Sequence, residues 1–365
     1  MILENYFKRC LQEFMPESET QWNYTAGCVL LGAQYMRKVS GDKAFDSILN
    51  RFSRDYVDDQ GIIKGYNPDE HNVDLMCSAR VFFDLFDQTG DMRFKNGMDY
   101  VYANLLEQPR TKSGNFWHKL RYPNQVWLDG LYMAQPFYVE YEARYRGSEN
   151  LADTIQQFQN VRKYLYLEDR KLYVHGYDES REMYWADKIT GRSQAIWLRS
   201  VGWYVMALVD CFQSIPDRYA DEKRILAMLL LETLEGMLPH IHEEKMMFYQ
   251  VVDQPALEGN YLEASGSCML AYAMLKGARM GMIPSEWAYV GKRIVEGVVA
   301  ECLVMKNHQL TLTHICASAG LGTLDGRIRT GEPAYYVSER RVDDNAHGLA
   351  ALMMAYSEYA YRGKG

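Results

Sequence analysis

Thr89-Gly-Asp-Met-Arg-Phe94 is the stretch on which the fold reading turns. Ahead of it runs a segment with apolar residues at helical spacing, ~71–88, and behind it a second such segment begins. A glycine that ends a helix takes the left-handed conformation without steric cost, and an aspartate just after it can cap the next helix through its side-chain oxygen. The same shape returns as Ser40-Gly-Asp-Lys-Ala-Phe45 and Arg146-Gly-Ser-Glu-Asn-Leu151. With proline in the glycine's place it returns as Ile215-Pro-Asp-Arg-Tyr219 and Ile283-Pro-Ser-Glu-Trp287. Proline at a helix start loses no backbone hydrogen bond, so either residue can punctuate. Tyr361-Arg-Gly363 echoes Tyr145-Arg-Gly147 near the C-terminus.

These six helix endings, roughly 50 to 80 residues apart, form a repeat with long insertions. Helical spacing predicts helices near ~22–39, ~71–88, ~124–145, ~193–214, ~220–238, ~263–280, ~285–303 and ~342–361, with good helix formers throughout. Five endings lead into a second helix. The sixth can only pair with an N-terminal helix near ~2–14, and six pairs closing in this way describe an all-α (α/α)6 barrel, one catalytic domain over residues 1–365. An open helical solenoid is the rival, but solenoids keep more regular repeats and capping ends. The insertions ~107–123, ~164–192, ~240–262 and ~307–341 are rich in Tyr, His, Gly, Asp and Pro, and loops gathered at one end of a scaffold are where sites are built.

Composition narrows the partners. The 365 residues are 48% apolar and 24% charged, with a formal net charge of −8. That is an ordinary globular balance, and it argues against nucleic acid or an anionic membrane as partner, since phosphate binding needs a basic surface. Seven scattered cysteines contain no Cys-x-x-Cys pair, so no zinc site or disulfide framework is indicated and reduced thiols in the cytoplasm are expected. No signal-peptide core appears near the start, and Gly297-Val-Val-Ala300 is interrupted by Glu301, far short of a membrane span.

The chemistry centres on Arg121-Tyr-Pro-Asn-Gln-Val-Trp-Leu-Asp-Gly-Leu-Tyr-Met-Ala-Gln-Pro136, where a Pro-Asn pair reads as a helix start. Asp129 lies among Trp127, Tyr132 and Met133. A carboxyl group in apolar surroundings loses hydration, which favours its protonated form and suits it to proton transfer; the bland alternative is an acid on the wet side of a helix. Asp74, in His71-Asn-Val-Asp74, is either a first-turn acid favoured by the helix dipole or a second carboxylate at the same barrel mouth. His175, before Gly176, is either a turn residue or a group that polarises substrate oxygen or water. Ser193-Gln-Ala-Ile-Trp-Leu-Arg-Ser-Val-Gly-Trp-Tyr204 carries Trp197, Arg199 and Trp203. Tryptophans at this spacing are commonly core, whereas a buried arginine demands a partner, and a bound carboxylate matches its fork. Lys119, in Trp117-His-Lys119, is a second candidate cation or merely an exposed lysine. Ala319-Gly-Leu-Gly-Thr-Leu-Asp-Gly326 lacks dinucleotide-fingerprint spacing and reads as a turn.

Several stretches together are similar to a known family. Tyr122-Pro-Asn-Gln-Val-Trp-Leu-Asp-Gly-Leu-Tyr-Met133, His175-Gly-Tyr-Asp178, Trp197-Leu-Arg-Ser-Val-Gly-Trp-Tyr204, Glu263-Ala-Ser-Gly-Ser267, Ile315-Cys-Ala-Ser-Ala-Gly-Leu-Gly322 and Tyr335-Tyr-Val-Ser-Glu339 resemble the unsaturated rhamnogalacturonyl hydrolases of glycoside hydrolase family 105. The matches run in family order from Trp22-Asn-Tyr24 to the last helix. The resemblance implies an (α/α)6 barrel, Asp129 as catalytic acid/base, and Asp74, Lys119, Trp127, His175, Trp197, Arg199, Trp203 and Tyr24 at the substrate. It also implies an acidic unsaturated oligosaccharide as substrate, hydrated at its C4=C5 double bond, with no metal or organic cofactor. Asp325-Gly-Arg-Ile-Arg-Thr-Gly-Glu-Pro-Ala334 departs from the family loop and leaves the neighbouring sugar open. Other readings stay in view: an unsaturated glucuronyl hydrolase on glycosaminoglycan fragments, an inverting glycosidase using Asp74 and Asp129, or a non-catalytic sugar-binding protein.

Overall fold

The computed structural model describes residues 2–17 and 22–361. Its helices are α1 (Ile2–Glu17), α2 (Tyr24–Ser40), α3 (Ala44–Tyr56), α4 (Val81–Thr89), α5 (Met92–Leu106), α6 (Leu128–Tyr145), α7 (Leu151–Leu165), α8 (Leu198–Ser214), α9 (Ala220–Met237), α10 (Ala264–Arg279), α11 (Trp287–Cys302), α12 (Pro333–Ser338) and α13 (Ala346–Tyr359). Helices α2, α4 with the short 3-10 turns before it, α6, α8, α10 and α13 form a ring in which each packs on the next and α13 returns to α2. Outside them α3, α5, α7, α9, α11 and α1 each pack chiefly against one inner helix, the last pairing joining α1 to α13. This is the (α/α)6 barrel.

Burial explains which helices went inside. α8 is buried continuously from Leu198 to Cys211 and α10 from Ala264 to Gly277, so neither has a wet stripe. Helices apolar all round belong in the core. α5, α9 and α11 bury a single face, as a covering layer should. Inner helices also meet closely: a Cβ on Gly266 would stand 2.5 Å from Leu198 Cγ, so α8 and α10 touch where any larger residue would part them.

The junctions follow the expected chemistry in two cases and depart from it in three. Gly41 (φ 68°) and Gly90 (φ 66°) end α2 and α4 in the left-handed region, and Asp91 caps α5 by accepting from Arg93 N at 3.0 Å. At the third junction Ser148 itself is left-handed (φ 67°) and caps nothing; the Glu142 carboxylate accepts from Asn150 N instead. Pro216 and Pro284 sit in the preceding turns, where their carbonyls accept from Tyr219 N and Trp287 N, and not at the first helical positions. The sixth junction lies largely outside the described residues.

Predicted boundaries needed correction where the chain approaches the barrel mouth. Residues 73–80 form 3-10 turns, not the start of one long helix, because Asn72 accepts from Asp74 N and Val73 N is taken by the His118 carbonyl. Pro123-Asn124 does not start a helix: Asn124 has φ 62° and leads into the strand Gln125–Trp127, paired antiparallel with Gly176–Asp178. α6 begins only at Leu128, whose N–H goes to the His175 carbonyl. The remaining strands are two-stranded hairpins and bridges in the loops, including Gly322–Leu324 with Arg327–Arg329 around an Asp325-Gly326 turn. Among the described residues no helix is long and apolar enough to cross a membrane.

Candidate active site

Residues from every inner helix start or its leading loop converge at one end of the barrel. The Gln125–Trp127/Gly176–Asp178 ladder is what brings Asp129 and His175 together, because it fixes the loop before α6 against the loop that carries the histidine. Asp129 Oδ2 stands 3.0 Å from His175 Nε2, with the aspartate side chain 13% exposed and the imidazole fully buried. The two atoms touch without an aligned hydrogen bond, a geometry common in unliganded sites. On its other side His175 Nδ1 is 2.7 Å from the Tyr336 hydroxyl, which fixes the ring's rotation.

Asp74 is placed beside this pair but in a different electrostatic setting. Its Oδ2 is 2.5 Å from Lys119 Nζ, and its Oδ1 is 3.6 Å from His118 Nε2. Burial pushes its carboxyl up, yet Lys119 and His118 together hold it below the usual carboxylate range. Asp74 is therefore the fixed anion of the site. Lys119 enters as its counter-ion and not as a free cation. Burial drives His118 down to about 4, so this imidazole is neutral at pH 7.

The aromatic residues divide by role. Trp127 lies parallel to His118 (4.3 Å) and Tyr122 (5.0 Å) and is 4% exposed, so it serves as a wall behind Asp129. Trp197 packs between His175, Tyr336 and the Arg199 guanidinium, and its indole N–H goes to Gln250. Trp203 stacks on Tyr132 (4.9 Å) and meets Tyr24 edge-on. Tyr24, half-buried, pairs through its hydroxyl with His347 Nε2 at 2.8 Å. Burial, and then the charge of Arg199, hold His347 well below its ordinary range and hence uncharged.

Arg199 is 1% exposed. Its Nη1 donates to the Cys316 carbonyl at 2.6 Å and to Ser265 Oγ at 3.3 Å, and among the described residues its side chain makes these two hydrogen bonds, which leaves Nε and Nη2 without a protein acceptor. Glu263 caps α10 through Gly266 N and also accepts from Ser265 Oγ and Cys316 N. The arginine is thus anchored by one end and presents the parallel N–H pair of its other edge. Among the described residues no group of three or more His, Cys, Asp or Glu is arranged to hold a metal ion.

All nine residues singled out in the sequence lie in or against this cluster. His118, Tyr336, His347 and Glu263 complete it and were not singled out as site residues. The signal for His118 stood beside Lys119 in Trp117-His-Lys119. Tyr336 and Glu263 fall within stretches that carry the family resemblance, and His347 follows the helix cap Asn345.

An (α/α)6 barrel whose mouth combines a buried acid with histidine, arginine and aromatic walls has the build of a carbohydrate-processing hydrolase. The chain belongs to Glycosyl Hydrolase Family 88, whose family model matches residues 3–362, and within that group it stands with the family 105 glycoside hydrolases. It is similar to the solved family 105 glycoside hydrolase of C. acetobutylicum ATCC 824, with a TM-score of 0.91 and 32% identity over 97% of this chain and 99% of that one. It is 38% identical over 237 residues to protein Atu3128 of Agrobacterium fabrum, covering 62% of this chain and 97% of that one. An unsaturated glucuronyl hydrolase specific for heparin shares the fold alone, with a TM-score of 0.69 and 14% identity over 98% and 97% of the two chains.

Proposed function

We propose that this glycoside hydrolase releases the 4-deoxy-4,5-unsaturated galacturonyl residue from lyase-generated rhamnogalacturonan fragments by hydrating its C4=C5 bond. The observation that carries the reading is the inequality of the two carboxyl groups. Asp74 is engaged by Lys119 and His118, which leaves Asp129, beside His175, to act as the single proton donor. Enol-ether hydration needs one such acid. Asp129 gives its proton to C4 as water adds at C5; the same carboxylate takes a proton from that water, and the hemiketal so formed opens to free the neighbouring sugar. Arg199 offers Nε and Nη2 to the carboxylate conjugated with the double bond, holding the ring in register with Asp129. Asp74 and Lys119 orient the sugar hydroxyls, and Tyr24, Trp127, Trp197 and Trp203 shape the walls. On this reading residues 1–365 are one catalytic domain, and the seven buried, unpaired cysteines fit a reducing cytoplasm.

The test is to incubate the protein with unsaturated rhamnogalacturonan and glycosaminoglycan disaccharides and follow loss of the conjugated-alkene absorbance. Faster loss with the first supports the reading, and faster loss with the second moves the substrate to the glucuronyl class. No loss with either sinks it. Heavy-oxygen water then separates hydration, which labels C5, from inversion by an Asp74–Asp129 pair, which labels the anomeric carbon.

A further inference from the structure

Asn345, His347 and Tyr24 form a chain of hydrogen bonds between α13 and α2 that can run in one direction only. Asn345 caps α13, and its Oδ1 accepts from the His347 backbone N–H at 3.1 Å. An amide nitrogen in that place would set two donors against each other, which fixes the orientation of the amide. The same Oδ1 lies 2.8 Å from His347 Nδ1. An amide oxygen only accepts, so Nδ1 carries a proton. His347 is 6% exposed, and burial together with the charge of Arg199 keeps its ring neutral. A neutral imidazole has one N–H, here spent on Asn345, and Nε2 is therefore bare. The Tyr24 hydroxyl, 2.8 Å from that nitrogen, is the donor.

The consequence falls on the other side of the tyrosine. A phenol has one hydrogen, and in Tyr24 it is turned toward α13. The oxygen has no second hydrogen-bond partner among the described residues. It lies within reach of the charges of Asp74, Arg199 and Asp129, which come from three other inner elements of the barrel. Toward that space it can only accept. Arg199 favours the arrangement twice, because its charge opposes a second proton on His347 and attracts the oxygen end of the phenol. Without the imidazole the O–H is free to turn to the carboxylates, and the site would offer a donor where it now offers an acceptor.

We propose that Asn345 and His347 are positioning residues that hold Tyr24 as a hydrogen-bond acceptor for an O–H group of the reacting assembly, either a hydroxyl of the unsaturated ring or the water that adds at C5. The identity of that donor rests on the hydration proposed above, whereas the direction of the hydrogen bonds does not. A water attacking C5 directs one hydrogen to Asp129, and an acceptor for the other leaves a lone pair aimed at the carbon. No proton passes to Tyr24: the hydrogen it accepts stays on oxygen as the new hydroxyl at C5. A ring hydroxyl held by Tyr24 would instead fix the sugar before reaction.

Nitrogen-15 NMR of the histidine rings in the whole protein reads the tautomer with no substrate present, His347 being assigned by its absence from His347→Phe or His347→Gln protein. Between about pH 5.5 and 8, Nδ1 should be protonated and Nε2 bare, and the Nε2 resonance should move when Tyr24→Phe removes its hydrogen bond. A protonated Nε2, or a resonance that Tyr24→Phe leaves in place, overturns the proposal. Kinetics on an unsaturated uronide read the consequence. Tyr24→Phe and His347→Phe should each lower kcat/KM roughly 10-fold, and the double variant should be no worse than Tyr24→Phe alone, because His347 acts through the hydroxyl. Losses that multiply to about 100-fold would make His347 a structural residue and overturn its assignment. A loss carried by kcat identifies the donor as the water, and one carried by KM as a ring hydroxyl. If no unsaturated uronide is consumed, the hydration falls, and the tautomer still decides which way the hydrogen bonds run.

Discussion

Asp129 stands one residue into α6 with its carboxyl against a fully buried imidazole, and the consequences can be followed residue by residue. Asp129→Asn removes the proton donor while keeping the shape, so the rate of alkene loss should fall about 10²–10⁴-fold. Full activity in that variant would remove Asp129 from the chemistry. Tyr336 acts one step further out. Through its 2.7 Å contact with His175 Nδ1 it sets the ring that faces Asp129, so Tyr336→Phe should lower kcat by roughly 10- to 100-fold with KM little changed. A change confined to KM would make Tyr336 a binding residue instead. The contrast between these two residues also shows what was legible in the sequence. Asp129, His175 and Arg199 announce themselves through neighbours within a few positions. Tyr336 gains its role from a partner 161 residues away, and His347 from Tyr24 at a separation of 323. Contacts of that range are made by ring closure, which local pattern does not encode. Lys119 shows the reverse: its positive charge was legible, but its engagement by Asp74 depends on the loop fold that joins them.

At the scale of elements, punctuation defined the helices well wherever a cap acts within its own junction. Asp91 is such a cap, and Asp91→Ala should destabilise the protein by about 1 kcal/mol. Ser148 resembles it in sequence but lies at φ 67° with a buried hydroxyl that has no partner among the described residues. Ser148→Gly should therefore be neutral or stabilising, by up to about 1 kcal/mol, because glycine accepts the left-handed region that serine resists. Urea unfolding of the two variants checks both signs together; equal losses would mean that Ser148 does cap α7 after all. The boundaries that sequence misplaced all lie at the mouth. Residues 73–80 tighten into 3-10 turns and 125–127 become a strand because distant backbone groups, the carbonyl of His118 and the ladder at 176–178, take their hydrogen bonds. Helical periodicity continues through these segments, but the backbone partners there are tertiary, and the site is built from that difference.

Across the whole molecule, buried titratable groups give the barrel a one-sided response to acid. His118 is held down to about 4 by burial, and His347 is held well below its ordinary range for the same reason, with Arg199 adding to it. Both imidazoles are neutral in the fold. Between about pH 6.5 and 4 the unfolded chain therefore binds protons that the folded chain refuses, and stability falls as pH falls through that window. Asp74 and Asp210 extend the trend downward. Burial opposes their ionisation, but Lys119 with His118, and Lys276 with Arg80, hold each below the usual range. The stability these carboxylates contribute is present above about pH 3.9 and is lost below it, as the unfolded chain takes up protons first. All four groups thus act with the same sign, two in the mouth's charged shell, one at Tyr24 and one between Lys276 and Arg80. His118 alone accounts for up to about 3.4 kcal/mol over its window. His118→Phe keeps a ring against Trp127 and removes the titration. The loss of unfolding free energy between pH 7 and 4.5, measured in urea, should then be smaller than in the parent protein by about 2 kcal/mol. An identical pH slope in the two proteins would show that His118 titrates alike in the folded and unfolded chain, and a larger loss in the variant that it is already protonated in the fold.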